Sequence, residues 1–246
     1  MKKNLCKILA SLLILLSFSC KSTPKRDKNF LGDFNAINLD KMMAAIVPRT
    51  KSELSPREIS FVFEPKTNIL SFHHKYMGDN IWISLNYEER QTMIAAINAY
   101  LEAFKKGELT AENNKKKAFF GKTPSYMRWG LLGLVHEAKP VLRFEYQLMG
   151  QKQLPYFILA TASQKALGND EANSIAIRIA LSPAKCQEFL LRLDQNNLLE
   201  IVNELQADFE QFDPDPEFSV NPTTEIEKNS TETDKTVDPD EAEFGL

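Results

Sequence analysis

Between Lys105 and Trp129 the chain interleaves Lys105, Lys106, Lys115, Lys116, Lys117, Lys122 and Arg128 with Phe119, Phe120, Tyr126 and Trp129. Flat rings beside cations are what base or ring stacking combined with phosphate contact requires. Lys115, Lys116, Lys117, Lys122, Tyr126, Arg128 and Trp129 are therefore the candidate ligand-binding set, with an anionic partner as the ligand class. The plainer reading of the same residues is a solvated lysine loop followed by a strand whose aromatics fill a core. Trp82 offers either a second aromatic contact or more core.

Other chemistry has little to work with. His73 and His74 are adjacent on a predicted strand, so their side chains point to opposite faces and do not chelate one metal as a pair. His136 is the third and last histidine. There is no HExxH, no Cys-x-x-Cys, no G-x-S-x-G elbow and no phosphate-cradling glycine loop. The expectation is no catalytic residue, no metal and no cofactor. Cys186 sits on the apolar face of a predicted helix, where a buried structural thiol is the default over a nucleophile.

The elements that must hold these residues alternate in type. Leu39, Met42, Met43 and Ile46 recur at helical spacing behind Asn38, and Pro48 closes this short predicted helix. Ile59, Phe61 and Phe63, then Ile69 to Lys75, then Ile81 to Leu85 read as a three-stranded meander with turns at Pro65 to Asn68 and Gly78 to Asn80. Asn86 and Glu89 form a capping box for a helix lined by Met93, Ile94, Ile97, Leu101 and Phe104, with Gly107 as its stop. Four further strands are expected, from Ser125 to Val135, Val141 to Met149, Leu154 to Ser163 and Ile175 to Leu181. Ser182 and Pro183 then open a helix carrying Cys186, Phe189, Leu190 and Leu193, and a last helix carries Leu198, Ile201, Val202, Leu205 and Phe209.

A shift of 96 residues aligns the two strand-to-helix junctions: Ile81 with Ile177, Ile83 with Ile179, Leu85 with Leu181, Asn86 with Ser182, Met93 with Phe189, Ile94 with Leu190 and Ile97 with Leu193. Either the chain holds an internal repeat, or any amphipathic strand feeding a capped helix looks this way. The upstream strands do not align residue by residue. On the repeat reading the fold is α+β: antiparallel sheets from two meander-plus-helix units, 58–107 and 118–195, packed as one domain with an extra C-terminal helix. The I-x-I-x-L-[NS] strand running into a helix resembles the repeat of the PUR and Whirly families over residues 58–104 and 125–195. That likeness implies a related fold and, as one function, binding of single-stranded nucleic acid; it transfers no signature residue.

The N-terminus sets the address. Lys2, Lys3 and Lys7 precede an apolar run from Ile8 to Leu16, too short for a comfortable bilayer span, so residues 1–20 read as a signal peptide. Ser19-Cys20 at its end resembles the lipobox of bacterial lipoproteins, which implies a lipid on Cys20 and a cell-envelope location. Leu stands at 15 and 16 rather than three residues before the cysteine, a looseness that spirochaetes tolerate. The alternative is an ordinary secretory signal with Cys20 incidental. Lys21 in place of Asp favours the outer membrane.

Residues 21–35 are polar and read as a tether, and 36–212 as the globular domain. From Asp213 the chain carries eleven acidic residues against Lys228 and Lys235, a net of −9. With its prolines this segment, 213–246, is predicted to be a disordered acidic tail. Residues 21–212 hold 25 basic and 22 acidic residues, net +3, too near neutral for a protein held on nucleic acid by charge. With Cys6 removed with the signal and Cys20 lipidated, Cys186 has no partner and packing must supply stability. The expectation is a lipid-anchored envelope binding module, not an enzyme, whose partners are the membrane through Cys20 and an anionic envelope ligand or a protein. A single-stranded nucleic-acid-binding protein is the alternative, weakened by export, and an enzyme with an unrecognised site the third reading.

Overall fold

Alternation of apolar and polar side chains carries ten segments of the chain into strands. The computed structural model describes residues 29–47, 54–76, 78–114, 119–131, 134–168 and 171–211. The signal segment with Cys20, the acidic segment from 213, and Lys115, Lys116 and Lys117 lie outside the described residues.

β1 (Ile37–Ile46), β2 (Ser55–Glu64), β3 (Ile69–Tyr76) and β4 (Asp79–Leu85) form an antiparallel meander, followed by helix α1 (Tyr87–Lys105). Then come β5 (Gly121–Pro124), β6 (Tyr126–Leu131), β7 (Leu134–Ala138), β8 (Val141–Met149), β9 (Leu154–Ala160) and β10 (Arg178–Leu181), and the helices α2 (Pro183–Leu193) and α3 (Gln195–Gln211). All ten strands belong to one antiparallel sheet in the order β5-β8-β9-β10-β1-β2-β3-β4-β6-β7.

The sheet curls on itself. β5 and β6 are one run of chain interrupted at Ser125, yet they lie toward opposite ends of that order. Gly121 pairs with Phe144, Pro124 with Val141, Met127 with Ala138 and Leu131 with Leu134, a single unbroken register. Ser125 bridges the break, its N–H (3.1 Å) and hydroxyl (2.9 Å) both donating to the Pro140 carbonyl. Residues 121–144 are thus one long hairpin, bent where Pro124 and Pro140 remove ladder donors. Taken that way, β10 pairs with β1, β4 with β6 and β8 with β9, and the ladder returns to the hairpin it started from, with β5 and β7 each paired on one side only.

Six strands stand where four were expected: the strand expected from Ser125 to Val135 is corrected to a hairpin of β6 and β7, because the chain turns back after Leu131, and Ser125 divides β6 from β5, which was not anticipated.

The predicted helix at 38–47 is corrected: this segment is β1. Asp40 and Lys41 together face the single residue Ser60, a bulge that turns Met42, Ala44 and Ile46 into the core and Met43 outward. Arg192 of α2 satisfies the bulge, donating from Nε to the Asp40 carbonyl (2.8 Å) and from Nη2 to the Lys41 carbonyl (3.0 Å). Helix propensity in Met42-Met43-Ala44-Ala45 loses because β1 fills the seam between β2 and β10.

The helix starts stand where the caps place them. Asn86 Oδ1 accepts from Glu89 N–H (2.9 Å) while Glu89 Oε2 accepts from Asn86 N–H (2.8 Å), and Gly107 (φ +70°) follows the last turn. Ser182 accepts from Lys185 N–H (3.3 Å) with Pro183 in the first turn. Both helices join one core with the inward-facing residues Phe61, Phe63, Phe72, Phe144 and Phe157. The positions matched across the 96-residue shift have matching burial: Ile81, Ile83, Leu85, Met93 and Ile97 are buried, as are Ile177, Ile179, Leu181, Phe189 and Leu193, while Ile94 and Leu190 are both half-buried.

Asn29 to Asn35, expected as tether, run along the body. Leu31 N–H donates to the Pro65 carbonyl (2.9 Å), and Leu31 and Phe34 pack on the core.

Candidate ligand-binding face

Because Ile81 and Ile83 point inward, Trp82 between them must point out, and the same parity puts His73 and Arg128 on the outer surface. Register then lines these residues up across four strands: His73 on β3 faces Trp82 on β4, Trp82 faces Arg128 on β6, and Arg128 faces Glu137 on β7. The His73 imidazole lies flat on the indole, centroids 3.8 Å apart and planes 3° from parallel. From the strand on the other side, the Arg128 guanidinium sits 5.5 Å over the same ring system.

Further rows flank this one. Towards the helix-bearing end of β4, Ser71 and Ser84 hydroxyls share a hydrogen bond (2.7 Å) beside Tyr126. The Tyr126 hydroxyl is pushed up to about 12, first by burial and then by its hydrogen bond to Glu137, so it stays a neutral donor. On the opposite side a depression of about 460 Å³ is lined by Lys41, Arg57, Glu58, Ser60, His73, His74, Lys75 and Asn80. Lys41 is paired with Glu58 at 2.8 Å, leaving Arg57 and Lys75 as its positive groups without an ion pair among the described residues. Burial, then the Lys41 charge, holds His73 below its ordinary value.

The row restricts what this face can bind. Both faces of the Trp82 indole are occupied, so it offers no stacking platform to an incoming base or sugar. The imidazole, indole and guanidinium of the row carry N–H donors suited to phosphate, sulfate or carboxylate oxygens, with Glu137 opposite Arg128 as the row's acid.

Those members of the sequence-derived set that lie among the described residues do not converge on one site. Tyr126 and Arg128 reach the outer face, but Trp129 turns inward, 5% exposed, against His136 at 5.4 Å between centroids. Phe119 and Phe120 join an aromatic cluster with Tyr100, Tyr146 and Phe157. Lys122 is exposed on β5 opposite Arg143, across the bend from Arg128. Lys41, Arg57, His73, Lys75 and Trp82 were not in the set. Trp82 was within reach, since strict alternation in Ile81-Trp82-Ile83 assigns it outward; the others depend on strand register, which one sequence does not declare.

Nothing on this face assembles nucleophile, base and oxyanion donors. Cys186 is buried and its thiol pushed up by burial, which leaves it protonated and unreactive. Among the described residues no His, Cys, Asp and Glu group forms a metal site, and no helix is long and apolar enough to cross a membrane.

The family described as "Uncharacterised Treponema protein" matches residues 30–200, which takes in all ten strands and the first two helices. The chain belongs to that family. An uncharacterized protein of Treponema pallidum (strain Nichols) is 36% identical over 204 residues, covering 83% of this chain and 70% of the relative. No solved structure matches the chain.

Proposed function

We propose that this protein is a lipoprotein held in the cell envelope through Cys20, and that its body is a binding module whose outer face on β2, β3, β4 and β6 takes an anionic ligand. The row of His73, Trp82 and Arg128 carries this reading: the imidazole is stacked on the indole and the guanidinium lies 5.5 Å over it, so three groups bearing N–H donors stand together on the outer face. Arg57 and Lys75 extend the positive character beyond it. Single-stranded nucleic acid fits less well, because base stacking needs a free aromatic face and the body's net charge is small. The two runs of strands, each ending in a capped helix with equivalent burial, support a second proposal: the halves are diverged copies of one unit.

Two measurements test the function. Replacing Cys20 with Ser moves the protein from the membrane pellet to the soluble fraction; retention through detergent-free washing removes the anchor. Titration with soluble polyphosphate changes Trp82 fluorescence in the parent, and Arg128→Ala with Lys75→Ala weakens binding at least about tenfold, as loss of two charged contacts implies. Equal binding by that double variant removes the site.

A further inference from the structure

β5 and β7 are each paired on one side only, and their free edges differ in kind. β5 carries Lys122 and Pro124, a charge and a missing donor, the residue types that discourage a further strand. β7, Leu134-Val135-His136-Glu137-Ala138, carries neither lysine nor proline. Its tip is apolar and open instead: Leu134 is 73% and Val135 61% exposed, with Leu131 beside them at 50%.

Register fixes which backbone groups this edge offers. Only Leu132-Gly133 separates Leu131 from Leu134, so that pair closes the hairpin with mutual hydrogen bonds, and bonded and unbonded pairs alternate from there. Trp129 and His136 are then a bonded pair, while Gly130 with Val135 and Arg128 with Glu137 are not. Val135 and Glu137 therefore turn their N–H and C=O away from β6. The Glu137 carbonyl bears out this parity, accepting from Leu167 N–H (2.7 Å) outside the hairpin. The two groups of Val135 meet no such partner among the described residues.

Side chains alternate across the ribbon, so its end is apolar on both sides. Leu131 and Leu134 continue the inner side of Trp129 and His136, and Val135 lies on the outer side with Arg128 and Glu137. A partner that adds a strand covers both sides at once, which a flat surface does not.

We infer that β7 pairs with β7 of a second copy of this chain, antiparallel about a two-fold axis, with Val135 facing Val135. The edge is complementary to itself. Val135 offers one donor and one acceptor, and the same residue turned end for end answers with one acceptor and one donor. In this register His136 faces Leu134 of the second copy, the two Leu134 side chains are diagonal neighbours on the inner side, and the two valines meet on the outer side. No like charges are opposed. Centring the pair on Glu137 instead would set two carboxylates face to face and call on the carbonyl that Leu167 already occupies. Three exposed apolar side chains per copy make a contact smaller than a stable dimer uses, so the association is weak and covalent capture is the way to read it.

The test treats the purified full chain carrying Leu134→Cys with a bifunctional maleimide spanning about 8 Å, the separation of diagonal neighbours across paired strands. A dimer band is expected from this variant and not from the parent, whose Cys186 is buried. Val141→Cys, also exposed but on β8, which has a strand on either side, is expected to give none. Adding Val135→Pro to the Leu134→Cys chain removes one free-edge N–H from each copy and no hydrogen bond of the single molecule. Capture should then fall about tenfold, as loss of two hydrogen bonds implies, with the melting temperature little changed. Val135→Lys, which keeps the backbone donor and opposes two charges, should lower capture as well. No capture at 134, or equal capture at 134 and 141, overturns the contact. Capture at 134 undiminished by Val135→Lys overturns the register, and capture undiminished by Val135→Pro overturns the strand pairing.

Discussion

Arg90 is the largest fully buried side chain, and its partners are neutral oxygens: Gln195 Oε1 at 2.7 Å, Asn68 Oδ1 at 2.5 Å and the Leu193 carbonyl at 3.5 Å. Its Nε has no hydrogen-bond partner among the described residues. Burial lowers the group to about 10, still protonated at neutral pH, with Tyr87 and Asp194 acting the other way. One guanidinium thus joins α1, the β2–β3 turn and the α2–α3 corner. Arg90→Ala should cost about 3 kcal/mol in urea unfolding, from the cavity and the stranded acceptors together. Arg90→Met fills the space and removes a desolvated charge, so its loss should be smaller; equal losses would locate the effect in the hydrogen bonds alone. His74 gives the pH dependence. Burial first, then the charges of His73 and Arg57, lowers it from 6.5 to about 4, so the unfolded chain takes up a proton over a range where the folded one does not. Stability from this group is complete above pH 6.5 and is lost as pH falls towards 4, by about 2 to 3 kcal/mol at the lower end. Comparing parent with His74→Gln across that window isolates the effect from the carboxylates; parallel curves would refute it. Sequence placed the two histidines on opposite faces, whereas nothing in it singles out Arg90, because nothing local announces that Asn68 and Gln195 will meet it.

At the scale of elements, hairpin geometry and helix packing make separate claims. Gly130 has φ +145°, and a Cβ there would stand 1.8 Å from the Leu134 carbonyl oxygen. Gly130→Ala must therefore open the end of the hairpin, with a stability loss of about 3 kcal/mol or more, whereas alanine at Gly78, where a Cβ meets nothing, should cost less. Thermal melts of the two variants check the order. Ile97 and Leu193 are wholly buried in one core, so cutting either to Ala should cost about 2 to 5 kcal/mol, with similar values if the two helices are equivalent. The caps made these helices legible, since Asn86 with Glu89 and Ser182 with Pro183 are local signals. β1 was illegible for the converse reason. Its helix-forming residues become a strand through the β2 and β10 edges and through Arg192, a partner about 150 residues away.

For the molecule as a whole, closure of the sheet decides what remains to be stabilised. Period-two patterning made most strands readable one by one, and the polar side of β8, Arg143, Glu145 and Gln147, is half-buried opposite the buried Leu142, Phe144 and Tyr146 as alternation demands. Their order was not readable, because the ring depends on a bend at Ser125 that splits one hairpin between two parts of the sheet. The candidate face followed the same rule: Tyr126 and Arg128 were anticipated and Trp82 was offered as a second aromatic contact, whereas His73 and Lys75 were not. With the ladder returning to its start and α3 fixed by buried Leu198 and Val202, the core is complete well before the acidic segment begins. By α3's last turns the packing has thinned to Phe209, 70% exposed, against Phe34 at 5.9 Å. A chain ending at Phe212 should therefore melt within a few degrees of the full chain, which for a body of this size corresponds to about 1 kcal/mol. Removing a net charge of −9 should at the same time tighten polyphosphate binding at low salt and leave it little changed at high salt, where screening hides the tail. A large drop in melting temperature on truncation would instead show that the core needs the segment beyond 212.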